Sequence, residues 1–172
     1  TYLNIKGEAN LIQSVRDCWA SLFEPRAIFY RQERGFDHFK VGIAVPVQTM
    51  VQSQVSGIMF TVNPVTNDKN QIVIEAIYGL GEMIVQGAYT PDHYLVQKAT
   101  YKILQKQVNP QTKQLQLFQN GNKERKVKLS LVDKSKLTDE QIVTLAKLGQ
   151  KVQDHYFFPQ DIEWALEKGK IY

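Results

Sequence analysis

Apolar residues recur along this chain with two different periods, and the switches between them predict its elements. From Ala9 to Leu22 they fall at Leu11, Ile12, Val15, Trp19 and Leu22, one face of a helix. Pro25 suits the first turn of a second short helix running to about Gln32, where its missing N–H is not needed. The pattern then changes to period two. Val41, Ile43, Val45, Val47 and Val51 alternate with Ala44, Gln48 and Met50, which predicts a strand over Val41–Gln52. Ser56–Thr61 reads as a second strand, ended by the turn signal Asn63-Pro64, and Gln71–Tyr78 as a third.

Gly79, Gly81 and Gly87 punctuate a short segment, Glu82–Gln86, and two further strands follow at His93–Gln97 and Lys102–Val108. The stretch from Asn109 to Leu131, rich in Gln, Asn and Lys, is the least apolar, and exposed hairpin strands are expected around Asn120-Gly121-Asn122. Thr138 followed by Gln141 forms a capping box, so a helix begins there and ends near Tyr156. Its buried face is expected at Ile142, Leu145, Ala146, Leu148 and Val152. Asp161–Glu167 is the final full strand, turning at Lys168-Gly169. The whole reads as one α+β domain, mostly antiparallel sheet with flanking helices.

Composition narrows the function classes. The chain has 172 residues, 43% hydrophobic and 22% charged, enough for a real core. Its net charge of +4 comes from scattered Lys and Arg rather than one basic stripe, and aromatics are not interleaved with them, which argues against nucleic acid. The single cysteine, Cys18, excludes a disulfide framework and fits a reducing, cytoplasmic setting. It sits in the first helix and reads as a packed thiol. No apolar run reaches membrane-spanning length, and the N-terminus lacks a signal-peptide pattern. His38, His93 and His155 match no zinc or triad spacing and read as structural or surface residues.

Three patterns carry possible chemistry. On a strand, Asp161 and Glu163 share one face roughly 6–7 Å apart, while Ile162, Trp164 and Leu166 take the other. Two adjacent carboxylates suit Mg²⁺, which takes one or two carboxylates plus substrate phosphates; the plainer alternative is a solvated edge face. Glu75 lies inside an apolar strand and needs a partner, and the glycines before Glu82 permit close backbone approach to a ligand. A glycine turn with an edge glutamate is the plainer alternative there. Gln48 and Met50 share one strand face, where a thioether and backbone groups could hold a purine ring, although on composition alone Met as core filler is the better explanation.

Taken in order, these segments resemble the nucleotide-binding domain of the phosphoenolpyruvate-synthase family. The resemblance is carried by Thr1–Gly7, Cys18–Phe23, Arg26–Ile28 with Tyr30-Arg31, and Val47–Val51. It continues through Ser56–Thr61 with Asn63-Pro64, Tyr78–Glu82 with Gly87 and Pro91-Asp92, and Phe158–Ala165, weakening between about Lys98 and Lys136. It implies a partial ATP-grasp lobe over residues 1–172, truncated at both ends, with ATP as substrate and Mg²⁺ as cofactor. By the same resemblance Gln48, Met50 and Val51 lie along the adenine, Thr61, Asn63, Glu75 and Glu82 near the nucleotide, and Asp161 and Glu163 at the metal.

The family's N-terminal lysine, arginine and glycine-rich phosphate loop match nothing here, nor does its Leu-Gln-Ala/Ser-Arg-Pro-like segment. Its phosphohistidine and pyruvate-binding domains are likewise unmatched. The missing initiator Met and a closing strand that stops just after its turn add to the expectation of a fragment, inactive alone, of a parent that makes phosphoenolpyruvate, AMP and phosphate from pyruvate, ATP and water. A homo-oligomeric parent is compatible with the resemblance. The alternatives are the same domain of a rifamycin phosphotransferase or pyruvate phosphate dikinase, or a nucleotide-binding module without turnover. The Tyr-Gly-Leu-Gly-Glu wording disfavours the dikinase, and Thr90-Pro91-Asp92 favours the synthase.

Overall fold

The computed structural model describes residues 1–118 and 121–172, so Asn120 of the expected hairpin turn lies outside the described residues. The chain divides into two compact units, 1–50 and 51–172, a division that no composition shift announces.

In the first unit, α1 (Glu8–Ala20) follows Gly7, whose φ of 83° favours glycine, and a single 3-10 turn, Ser21–Phe23, leads to α2 (Pro25–Arg34). Neither helix buries an apolar side chain; Trp19, Phe23 and Phe29 are all more than half exposed. Cys18 is half-buried rather than packed in a core. The buried residue is Arg31, which donates to the Leu22 carbonyl at 2.5 Å and to His38 Nδ1 at 3.1 Å, tying the turn before α2 to the loop after it. That bond requires the Nδ1 of His38 to be unprotonated.

The strand expected over Val41–Gln52 does not form; no regular element lies between α2 and Val55. A strand needs partners both for its backbone and for its apolar face. Ile43 and Val47 are 41% and 62% exposed, so the alternation is present in sequence but joins no sheet and buries no continuous apolar face.

The second unit is built on a six-stranded antiparallel sheet in the order β4-β3-β2-β1-β7-β8. These strands are β1 (Val55–Phe60), β2 (Gln71–Tyr78), β3 (Asp92–Gln97), β4 (Ile103–Gln107), β7 (Asp161–Glu167) and β8 (Lys170–Ile171). A four-residue helix, α3 (Glu82–Val85), follows β2, and β5 (Lys113–Phe118) with β6 (Gly121–Lys126) forms a separate hairpin.

β1 is central. It pairs along its whole length with β2 on one side and β7 on the other. Residues directly opposite one another share a face, so Val55, Gly57 and Met59 join Ile74, Ala76, Trp164 and Leu166 on one face. The long helix α4 (Asp139–Tyr156) closes that face with Ile142, Leu145 and Ala146, each essentially inaccessible. Fully burying Ile142 and Leu145 contributes about 1.5–3 kcal/mol apiece.

The Thr138–Gln141 capping box is present in both directions, at 3.2 and 2.9 Å. Leu148, expected in the buried face of α4, is instead 39% exposed, and Val152 is half-buried. Gly149 takes the inward position, because a side chain there would meet the Met59 thioether at 2.8 Å. Helix and sheet approach too closely at that point for anything larger.

Gly57 is a second close approach. A Cβ there would stand 1.8 Å from the Glu75 carbonyl oxygen and 2.7 Å from the Trp164 ring. Gly57→Ala is therefore expected to destabilise by about 3 kcal/mol or more, against about 1 kcal/mol for Thr138→Ala at the cap. Urea denaturation of the two variants would check the order, and a Gly57→Ala protein as stable as the parent would contradict this packing.

Candidate functional site: the acidic face of the sheet

The face of the sheet opposite α4 is where the sequence-predicted carboxylates gather. Along β7, Asp161 and Glu163 are exposed while Ile162, Trp164 and Leu166 face the core, the alternation expected from sequence. The register places Glu163 opposite Ile58, Ile58 opposite Glu75, Glu75 opposite His93, and His93 opposite Gln107. These five residues form one row across five strands, with Glu163 and Glu75 about 10 Å apart at the backbone, two strand spacings. The next row runs Asp161, Phe60, Val73, Leu95 and Gln105. The face thus has an apolar middle of Ile58, Phe60, Val73 and Leu95 and carboxylates along the β7 side.

Among the described residues, the Asp161 and Glu163 carboxylates have no hydrogen-bond or ion-pair partner. Two exposed, unpartnered carboxylates on one strand face fit a magnesium ion that takes its remaining ligands from phosphates and water. Among the described residues no group of three or more His, Cys, Asp and Glu is placed to hold a metal by itself, so a dedicated all-protein cage is not the arrangement here. Glu75 does have the partner its half-buried position calls for: His93 Nδ1 stands 3.8 Å away, an ion pair when the imidazole is protonated. Sequence reasoning set His93 aside, and only the cross-strand register brings it to this row.

Glu82 opens α3 and is exposed, accepting from Gln86 Nε2 at 3.2 Å. The turn before it lies against the next row of the same face. Ser56 Oγ donates to the Gly79 carbonyl at 2.7 Å, and a Cβ on Gly81 would stand 3.4 Å from that hydroxyl.

Thr61 and Asn63 sit elsewhere. Thr61 is fully buried on the helix side of the sheet, and its hydroxyl accepts from the Gln160 amide at 2.7 Å. Asn63 donates to Gln71 Oε1 and accepts from the Val65 and Thr66 amides, stapling the loop after β1. Gln48 and Met50 belong to the first unit and Val51 opens the second; Gln48 is exposed, Met50 and Val51 half-buried.

Asp92, in the Thr90-Pro91-Asp92 segment, is architectural. Asp92 and Lys136 have fully buried side chains 2.7 Å apart. Asp92 also accepts from the Lys136 and Asn109 amides, each at 2.9 Å, and from the Tyr94 hydroxyl at 2.6 Å, while Lys136 Nζ donates to the Asn109 carbonyl. Burial, then the bond to Asp92, pushes the Tyr94 phenol upward, keeping it a donor. The cluster fixes the chain entering α4 to β3.

An antiparallel sheet with one face sealed by a helix and the other carrying unpaired carboxylates makes this an α+β module. The chain belongs to the pyruvate phosphate dikinase AMP/ATP-binding domain family, which matches residues 1–172. It is 49% identical to the phosphoenolpyruvate synthase of Pyrococcus furiosus and 46% identical to the probable phosphoenolpyruvate synthase of Methanocaldococcus jannaschii. It is 39% identical to the rifampicin phosphotransferase of Bacillus cereus. All of this chain is covered in each case, but it spans only 22%, 15% and 20% of those proteins. Among the described residues no helix is long and apolar enough to cross a membrane.

Asp92→Asn is expected to strand the Lys136 ammonium in the interior and cost about 3–5 kcal/mol. Asp92→Asn combined with Lys136→Met removes the stranded charge and should recover part of that loss, measured by chemical denaturation. A double variant no more stable than Asp92→Asn would argue against an ionic cause.

Proposed function

We propose that this chain is a part of an ATP-grasp nucleotide site in a cytoplasmic phosphoenolpyruvate-synthase-type enzyme, and that Mg-ATP lies on the acidic face of its sheet. The observation that carries the reading is the register of β1 with β2 and β7, which puts Asp161, Glu163 and Glu75 on one face, away from α4. Asp161 and Glu163 hold Mg²⁺, and Glu75 and Glu82 lie nearer the nucleotide. Gln48, Met50 and Val51 serve the adenine. Thr61 and Asn63 act through the backbone they shape, their side chains being bonded internally.

Phosphoryl transfer depends mainly on positioning and on neutralising charge, and Mg²⁺ supplies the neutralisation when bound. The chain's own part is to fix two carboxylates on a rigid strand, so that their geometry is set by the sheet rather than by a loop. The apolar middle of the face excludes water from one side of the ligand. In the full-length polypeptide, pyruvate, ATP and water then give phosphoenolpyruvate, AMP and phosphate through a phosphohistidine on another domain. The 39% identity to the rifampicin phosphotransferase supports a second reading, in which the same site serves a rifamycin acceptor.

Incubation of the full-length polypeptide with Mg-ATP and pyruvate should yield equal amounts of phosphoenolpyruvate, AMP and phosphate without added phosphate. Asp161→Asn and Glu163→Gln should each cut turnover by about 100-fold or more, the loss of a charge-stabilising group, with the fold intact by circular dichroism. AMP formation only with a rifamycin would keep the nucleotide site and replace the acceptor. Undiminished turnover in both carboxylate variants would remove Asp161 and Glu163 from the metal.

A further inference from the structure

The β5–β6 hairpin is an unusual feature of the second unit. It forms its own two-stranded sheet, and among its described residues Leu115 alone is buried. Isolated two-stranded hairpins are marginal in water, so its contacts with the rest of the unit matter. Backbone and side-chain bonds tie it to the end of β2 and to both ends of residues 80–89, between β2 and β3.

At the near end of that segment, the Leu80 amide donates to the Leu115 carbonyl at 3.0 Å, and Gly79 forms a bridge with Leu115. The approach is so close that a Cβ on Gly79 would stand 2.5 Å from the Leu115 oxygen, and the φ of 89° is itself one that glycine favours. Just before it, the 2%-exposed Gln111 takes the place of a missing neighbouring strand. Tyr78 N donates to Gln111 Oε1 at 2.8 Å, and Gln111 Nε2 donates to the Tyr78 and Lys113 carbonyls at 3.0 and 2.8 Å. β3 pairs with β2 only as far as Ala76, so Gln111 completes the edge that β3 leaves open.

At the far end, the Tyr89 hydroxyl donates to Glu124 Oε1 at 2.8 Å, and Lys113 Nζ holds Glu124 Oε2 at 3.0 Å. Desolvation by burial, then the bond to Glu124, pushes the Tyr89 phenol up to about 12, so it stays protonated and donating. The hydrogen bonds from Lys113 and then Tyr89 hold the Glu124 carboxyl below its ordinary value, so it stays an anionic acceptor. Between the two anchors lie the short helix α3 and Glu82.

We propose that the β5–β6 hairpin is a brace that fixes residues 80–89, and with them Glu82, over the acidic sheet face, with Gln111, Tyr89 and Glu124 as positioning residues for the nucleotide. The positioning role rests on the nucleotide reading above; the brace itself does not. A hairpin with almost no core of its own, gripping both ends of a ten-residue segment whose middle carries a carboxylate, acts on that segment's placement more than on the stability of the sheet.

Hydrogen exchange of the 80–89 amides and Mg-ATP affinity by calorimetry, both in the full-length polypeptide, test the two parts separately. Tyr89→Phe and Glu124→Ala should each speed exchange in 80–89 and weaken Mg-ATP binding by about tenfold, the scale of one charge-assisted hydrogen bond. The thermal midpoint should stay unchanged, because both positions lie outside the core. Glu124→Gln, whose amide oxygen still accepts from Tyr89, should restore most of the affinity. Unchanged exchange in Tyr89→Phe and Glu124→Ala would overturn the brace. Faster exchange with unchanged affinity would overturn the positioning role. A parent protein that does not bind Mg-ATP would overturn the nucleotide reading and the positioning role together, while the exchange result still decides the brace.

Discussion

The rest of the second unit depends on β1 being hydrogen-bonded along both edges. Because side chains alternate with a period of two, a one-residue slip against either neighbour would move every residue of β1 to the opposite face. Pairing β1 with β2 and β7 at once removes that freedom. Two consequences follow from the same register. Val55 and Met59 are delivered to α4, and Ile58 becomes the link between Glu163 and Glu75. The core and the acidic face are two readouts of one set of backbone bonds. Gly57 is the concession that makes this possible, since its missing side chain lets the Trp164 ring lie across the strand.

Polar groups in this unit divide by what they are bonded to. Asp92, Lys136, Thr61, Asn63 and Gln111 are buried and each is hydrogen-bonded to internal partners, as burial demands. They hold the loops to the sheet: Asp92 and Lys136 at the entry to α4, Asn63 after β1, Gln111 at the end of β2. Asp161 and Glu163 are exposed and uncommitted. Residues with spare bonding capacity on a rigid strand are the ones able to meet a ligand. Thr61 and Asn63, which the family resemblance associates with the nucleotide, have side chains bonded within the protein.

The hydrophobic pattern located most elements where they are found. The period-two runs at 56–61, 71–78 and 161–167 and the capped helix from Thr138 all correspond to elements in the structure. The Asp161/Glu163 face was legible for the same reason: in a strand, residues two apart share a side whatever the partner. The run at 41–52 has the same periodicity but joins no sheet, and propensity alone does not make a strand. Leu148 fits the helical stripe of α4, yet Gly149 holds the inward place, because the distance between helix and sheet near Met59 is set by packing. His93 was unreadable as a neighbour of Glu75, since its position there is set by the pairing register of β2 and β3, which the residue pattern of either strand alone does not fix.

The sequence by itself determined what is local: the strand and helix periods, the cap at Thr138, the glycines where the chain must pass close to itself, and the colinear motifs of the family. Only the tertiary structure decided which strands neighbour one another, and therefore that Glu163, Glu75 and His93 form one row while Asp92 turns inward to Lys136. It also decided that the polar hairpin after β4 grips the segment around Glu82. The reason is physical. Periodicity is written residue by residue, whereas register and the identity of a buried charge's partner are set when distant segments compete to satisfy the same backbone and side-chain bonds.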